Sequence, residues 1–299
     1  MSSSATNPVG DQVVIVTGAS SGIGREAALE FARRGFTVVG VARREGLLES
    51  LTAACREHSP ASFHLCGDLG DRDFACRIVP LVEERLGRVD VLINNAAISK
   101  HKHIFHTSTD EAEAVMRINF LSCVWTTLSA IPVFLRGGGG TIVNVSSFAA
   151  LVAPPREALY AASKAAMNAF SQGMWLDLEG SGIHVALVNP GPIDTEIWEK
   201  EDEPPGYHGH KYPPKIVVDA IFESIEKRIH EVTVPRFDTQ LISARALSLF
   251  APGLLRMGMH RMEPVPSELI DAARRRASSH RAGGNDLDAA RGNRETQGT

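Results

Sequence analysis

The sequence predicts an α/β protein, a doubly wound parallel sheet of seven strands in a single domain with a C-terminal helical extension, and three observations predict it. Short β-branched runs alternate with longer stretches of helical periodicity over most of the 299 residues. The runs are near-continuously apolar, as strands must be when helices cover both faces of a sheet. The first run ends in a glycine-rich turn that leads straight into a helix.

Taken in order, "QVVIVTG" opens the sheet and a helix follows from Gly24 to Arg34. Next come "FTVVGVAR", a helix through Cys55, "SFHLCGDL", a helix through Leu86 and "VDVLINNA". A helix around Asn119, the strand "GTIVNVSS", the helix "YAASKAAMNAFSQGMWLDLEG", the strand "GIHVALVNPGPIDT", a helix from Pro214 to Arg228 and the strand "EVTVPR" complete the alternation. It runs unbroken to about Arg236, so residues 11–236 are expected to form one domain, although the chain is long enough for two. Residues 1–10 read as a disordered leader and 237–276 as a C-terminal extension of one or two helices. The last stretch, 277–299, is poor in apolar residues and reads as a disordered tail.

A hydrophobic fraction of 43% and a net charge of −4 give no footprint for nucleic acid and favour small-molecule chemistry. The four cysteines, Cys55, Cys66, Cys76 and Cys123, lack C-x-x-C spacing, and no basic and apolar signal precedes them. Disulfides and a metal site are therefore not expected, and a cytoplasmic location is. No uninterrupted apolar run reaches the roughly 18 residues of a membrane-spanning helix. Residues 241–259 come nearest, broken by Arg245, Pro252 and Arg256.

The turn "TGASSGIGRE" spaces Gly18, Gly22 and Gly24 as G-x-x-x-G-x-G. Together with Ser20, Ser21 and Ile23 it offers a pyrophosphate close backbone approach and the free N–H groups of a helix N-terminus. Its position between first strand and first helix is where a dinucleotide sits. At the end of the second strand a carboxylate would bind a ribose 2′-hydroxyl, whereas arginine suits a 2′-phosphate. Ala42 occupies that slot and Arg43 and Arg44 follow, which predicts NADP(H), with Arg43 the better candidate.

With these motifs, "TGASSGIG" at 17–24, Asp68 and Leu69 in "GDL", "NNAA" at 94–97, Asn119 in "RINF", "VSS" at 145–147, "YAASK" at 160–164 and "NPGPIDT" at 189–195, residues 11–235 resemble the short-chain dehydrogenase/reductase family and its Rossmann fold. The resemblance implies a catalytic tetrad of Asn119, Ser147, Tyr160 and Lys164. Reduction of a carbonyl builds an alkoxide, which needs an acid at that oxygen and donors for its charge. Tyr160 would be the acid. A free phenol has a pKa of about 10, and Lys164, four residues on along one helix face, would supply the cation that eases its proton loss. The same lysine would bond the nicotinamide ribose. Ser147 would orient the carbonyl, Ser146 pointing to the other side of the strand, and Asn119 would hold a water linking Lys164 to solvent. The resemblance also assigns Asp68 to the adenine, Asn95 and Ala96 to the adenosine side, and Pro190, Ile193 and Thr195 to the nicotinamide end. Ala97 departs from the family's usual glycine.

Three segments stay open. "SKHKHIFH" holds His101, His103 and His106 without a thiolate or acidic companion, and reads as a polar, partly mobile loop facing substrate. Residues 199–214 read as a lid. Residues 241–259 could close the substrate pocket, join an oligomer interface or lie on a membrane surface. The expected function is an NADP(H)-dependent oxidoreductase interconverting an alcohol and its ketone or aldehyde. Phe148, Leu151 and Val152 favour a lipophilic substrate, and the expected assembly is a homodimer or homotetramer. The alternatives are an NADP(H)-binding sensor or scaffold, and an epimerase or dehydratase on the same fold.

Overall fold

Each of the seven apolar runs forms a strand: β1 (Val13–Thr17), β2 (Thr37–Ala42), β3 (Phe63–Cys66), β4 (Val91–Asn94), β5 (Gly140–Val145), β6 (Ile183–Pro190) and β7 (Glu231–Val234). The computed structural model describes residues 12–200 and 209–276, so the expected leader, the expected tail and much of the expected lid lie outside the described residues. All neighbouring strands pair in parallel, in the order β3-β2-β1-β4-β5-β6-β7. The chain builds outward from β1 to β3, then crosses back to lay β4 on the other side of β1. The loops after β1 and β4 therefore diverge and leave a crevice at the carboxyl ends of the strands.

Parallel pairing demands a crossover between successive strands, and helices supply it. One face of the sheet is covered by α1 (Gly22–Arg33), α2 (Glu45–Arg56) and α7 (Lys215–Glu226), whose Phe31, Leu48 and Ile221 meet Val14 and Val16 in one apolar cluster. The pleat sends Val13 and Ile15 to the opposite face, where Ile78 of α3 (Arg72–Leu86) and Phe134 of α5 (Ser122–Gly137) pack with Met174 of α6 (Ala158–Asp177). The stops are chemically specified. Asp71 accepts from the backbone N–H groups of Asp73 and Phe74 to start α3, and Gly87, at φ 78°, ends it. Ser108 and Glu111 form a reciprocal capping box that starts α4 (Thr109–Met116).

Helix α4 continues through a π-helical turn, Arg117–Leu121, into α5. This 29-residue helical run has a mean hydropathy of 1.6 over its most apolar window, so by length and composition it could cross a membrane, which the interrupted apolar pattern does not suggest. In the fold its Ala130, Val133 and Phe134 are buried in the core beneath the sheet.

The C-terminal extension is more helical than expected: α8 (Thr239–Phe250), α9 (Pro252–Met262) and further helical residues at 267–276. Neither α8 nor α9 has a buried residue. Its attachment begins with half-buried Leu241 against Gly191 and with the Tyr212 hydroxyl donating to Asp238 at 2.7 Å.

Phe31 is fully buried and its ring lies 4.3 Å from that of Phe222 and 5.0 Å from that of Phe36. Phe31→Ala should lower unfolding free energy by about 3–5 kcal/mol through lost burial and a cavity, measured by urea denaturation.

Candidate functional site

The crevice above β1 and β4 is a cleft of about 480 Å³. At its floor the chain turns sharply after β1. Gly18 sits at φ 68°, and a Cβ there would fall 2.8 Å from the Ala96 Cα. Gly24, one turn into α1, leaves no room either: a Cβ would lie 2.5 Å from the Gly18 carbonyl oxygen. Only glycine lets the turn and the helix start come this close, and the space kept clear is at the N-terminus of α1. Ser21 makes no side-chain cap there, and the first turn holds no acidic residue, so the helix presents an uncompensated positive end to the cleft.

The cleft is lined by Gly18, Ser20, Ser21, Gly22, Ile23, Arg43, Arg44, Asp68, Leu69, Asn95, Ala96, Tyr160, Lys164 and Thr195. Gly24 supports the wall from behind. Pro190 ends β6, and Ile193, 5% exposed, bridges to Tyr212 beneath the Thr195 loop. Asp68 accepts from the Gly70 N–H at 2.9 Å, fixing the turn after β3. The two arginines behave differently. Arg44 donates to the Ser20 and Ser21 hydroxyls and pairs with Glu196 at 2.8 Å. Arg43 is exposed at the cleft, and among the described residues its guanidinium has no hydrogen bond.

At the other end, α6 places Tyr160 and Lys164 one turn apart. Tyr160 is half-buried on the cleft wall, whereas Lys164 is 1% exposed and its Nζ donates to the Val145 carbonyl at 2.8 Å. Burial pushes the Lys164 pKa down from 10.5 to about 8. Beside it the Cys123 thiol is pushed up to about 12 by its own burial, so it stays protonated. Ser146 donates to the Lys164 backbone carbonyl at 3.2 Å and contributes to the cleft wall. Ser147 is extended and its Oγ accepts from the Ala149 N–H at 3.1 Å, which leaves its O–H to act as a donor. Neither Ser147, which is half-buried, nor Asn119, which is enclosed, is among the residues that line the cleft.

Asn119 lies in the π-helical turn with no exposure. Its Oδ1 accepts from the Ile98 N–H at 2.8 Å, while its Nδ2 donates to the Ile98 carbonyl at 3.0 Å and to Ser163 Oγ at 3.1 Å. The side chain thus clamps the peptide of Ile98, which lines the cleft beside Ala97 and Ser99. A π turn displaces the helical hydrogen-bond ladder, a distortion that recurs at functional sites. Within the loop at 99–106, His101 is 4% exposed, its ring 3.7 Å from Glu157 and 3.8 Å from Glu263, while residues 104–106 are exposed. Among the described residues no group of three or more His, Cys, Asp or Glu could hold a metal ion.

Two sets of supporting residues escape sequence reading. Thr17 Oγ donates to the Ile93 carbonyl at 3.1 Å and accepts from the N–H groups of Asn95 and Ala96, pinning the "NNAA" turn to the end of β1. Asn94 and Asn144, paired at 2.9 Å across β4 and β5, extend a buried network to Thr126, Thr127 and Ser171 beneath the lysine. Thr17 and Asn94 stand inside the quoted motifs and Asn144 inside a strand, but nothing in one dimension gives any of them its partners.

A family model described as short chain dehydrogenase matches residues 12–206. The 11-beta-hydroxysteroid dehydrogenase 1A of Arabidopsis thaliana is 39% identical over 189 residues, 62% of this chain and 53% of that protein. An uncharacterized oxidoreductase of Bacillus subtilis is 31% identical over 224 residues, 72% of this chain and 63% of that protein. This chain thus spans between half and two thirds of the length of these curated relatives. A solved short-chain dehydrogenase from Sphingobium yanoikuyae, in complex with NADPH, aligns with a TM-score of 0.71 at 28% identity, covering 86% of this chain and 97% of that one.

The buried lysine gives a stability signature. Its folded pKa near 8 lies below the ordinary 10.5, so between those values the unfolded chain binds more protons and wild-type stability rises with pH. Lys164→Met should therefore be more stable than wild type by about 1–2 kcal/mol below pH 8, the lost bond to Val145 offsetting part of the gain. The difference should shrink toward pH 10.5, as read by denaturant unfolding across pH.

Proposed function

We propose, since the chain belongs to the short-chain dehydrogenase/reductase family, that it is an NADP(H)-dependent oxidoreductase reducing a lipophilic ketone or aldehyde to its alcohol, and reversibly the converse. The observation that carries this reading is a buried lysine one helical turn from a cleft-lining tyrosine, at the opposite end of the cleft from an exposed arginine. The glycine cradle and the open N-terminus of α1 fit a pyrophosphate, and Lys164 and Thr195 fit the nicotinamide half. Arg43 fits the 2′-phosphate better than Arg44, which Ser20, Ser21 and Glu196 already engage. When bound, NADPH supplies a hydride to the carbonyl carbon.

The protein's own part is proton handling and positioning. Tyr160 gives its phenolic proton to the carbonyl oxygen as negative charge grows there. The Lys164 ammonium, in a water-poor site, stabilises the phenolate left behind, and its stem reaches the cofactor ribose. Ser147 donates its O–H to the same oxygen. Asn119 fixes the Ile98 peptide on the substrate side, and the π turn around it is the proposed place of the water that returns a proton to Lys164. On the outer faces of α5 and α6, Leu128, Leu135 and Leu176 are exposed, which supports assembly as a homodimer or homotetramer. A cytoplasmic location, where NADPH is kept reduced, completes the proposal.

Monitoring NADPH absorbance across a panel of lipophilic carbonyls tests this reading. A sensor oxidises NADPH with none of them, and an epimerase gives no net oxidation. Tyr160→Phe should keep NADPH affinity within about twofold and lower kcat by roughly 10²–10⁴-fold; retained turnover would remove Tyr160 as the acid. Arg43→Asp should lower the NADPH/NADH ratio of kcat/KM by about tenfold or more, and an unchanged ratio would place the 2′-phosphate elsewhere.

A further inference from the structure

The C-terminal extension has no buried residue in α8 or α9, yet it meets the domain at three points, each within a few residues in sequence of Thr195, Ser147 or Tyr160. At its start, Asp238 caps α8 and accepts from the Tyr212 hydroxyl at 2.7 Å, and Tyr212 bridges to Ile193 below the Thr195 loop. In mid-course, Arg245 donates to the Leu151 carbonyl at 3.1 Å, four residues past Ser147. At the end of α9, Glu263 pairs with Arg156 at 2.8 Å and lies 3.8 Å from the ring of His101.

The third contact is of a different kind. Glu263 and Arg156 keep 13% and 20% of their side-chain exposure and His101 keeps 5%, so this is a largely enclosed cluster of charged and titratable groups. Loss of one partner from such a cluster costs more than loss of an exposed pair. Arg156 is held at φ 61°, a left-handed conformation that a non-glycine residue keeps only when its surroundings impose it. Its carbonyl in turn accepts from the Lys102 N–H at 2.8 Å. Glu263 thus reaches, through one carboxylate, the segment four residues ahead of Tyr160 and the loop that continues from cleft-lining Ser99.

We propose that α8 and α9 form a strap across the substrate side of the cleft, and that Glu263 is its latch, a positioning residue that selects among substrates by holding the strap to Arg156 and His101. The proposal rests on the oxidoreductase reading for what is selected, but the latch itself is a physical contact. Leu241, Ala244 and Leu247 of α8 are half-buried, Leu241 against Gly191, and at the far end of α9 the tie is the one Glu263 makes. Among the described residues none of α8 or α9 lines the cleft itself, so the strap acts at its rim, where holding it in place rewards large lipophilic carbonyls over small ones.

Glu263→Gln keeps the shape of the side chain and removes its charge. Hydrogen–deuterium exchange, followed by mass spectrometry, should show faster exchange in 99–106 and 239–262 and none elsewhere, with Arg256→Gln, an exposed change on α9, as the control. NADPH affinity by fluorescence should stay within twofold. KM for a long-chain ketone should rise at least fivefold with kcat little changed, while KM for a short-chain ketone moves less than twofold. Unchanged exchange would overturn the latch, and faster exchange with an unchanged ratio of the two KM values would overturn its role in selection. If the wild-type protein oxidises NADPH with no carbonyl, the oxidoreductase reading falls, and the exchange experiment still decides the latch.

Discussion

A lysine ammonium buried in the carboxyl end of a parallel sheet is the constraint around which this molecule is arranged. Lys164 is 1% exposed, and the structure gives it one carbonyl, that of Val145, as its hydrogen-bond partner within the described residues. Enclosing a cation this way costs free energy, which is why its pKa falls to about 8. A core does not keep such a group for stability. In the proposed function the ammonium acts when Tyr160, one turn earlier on α6, gains negative charge.

The surroundings keep that charge in position. Below it, Asn94 and Asn144 tie β4 to β5 and connect to α5 and α6, so the two helices flanking the lysine share one buried hydrogen-bond network. Beside it, the π turn brings Asn119 to the Ile98 peptide and links the loop after β4 to α6 through Ser163. Thr17 ties the crevice at the end of β1 to the turn after β4. The sheet supplies the platform because parallel strands bring all their carboxyl ends to one edge, where the turns after β1, β4, β5 and β6 converge.

Much of this was legible in one dimension, for physical reasons. Strands buried on both faces must be apolar throughout, so β1 to β7 announced themselves, and the glycines at 18 and 24 announced a turn too tight for a side chain. The motif positions around "YAASK" carried the site by resemblance, and the family membership follows from the match over 12–206. What stayed hidden depends on distant contacts. Nothing local says that Lys164 is enclosed rather than solvated, that Arg44 is engaged by Glu196 while Arg43 is not, or that His101 leaves a polar loop for an enclosed contact with Glu157 and Glu263. The extension is the extreme case. Its helices are amphipathic in sequence, yet polar side chains at Asp238, Arg245 and Glu263 fasten it to the domain.

The proposed function makes Lys164 and Tyr160 a coupled pair. Tyrosine labelled with ¹³C at Cζ tests it directly, because the chain has only 3 tyrosines and Tyr160→Phe identifies the resonance. If the pair is coupled, the Tyr160 resonance should respond to pH differently in the wild-type protein and in Lys164→Met. A Tyr160 resonance that titrates at the same pH with and without the lysine would contradict the account.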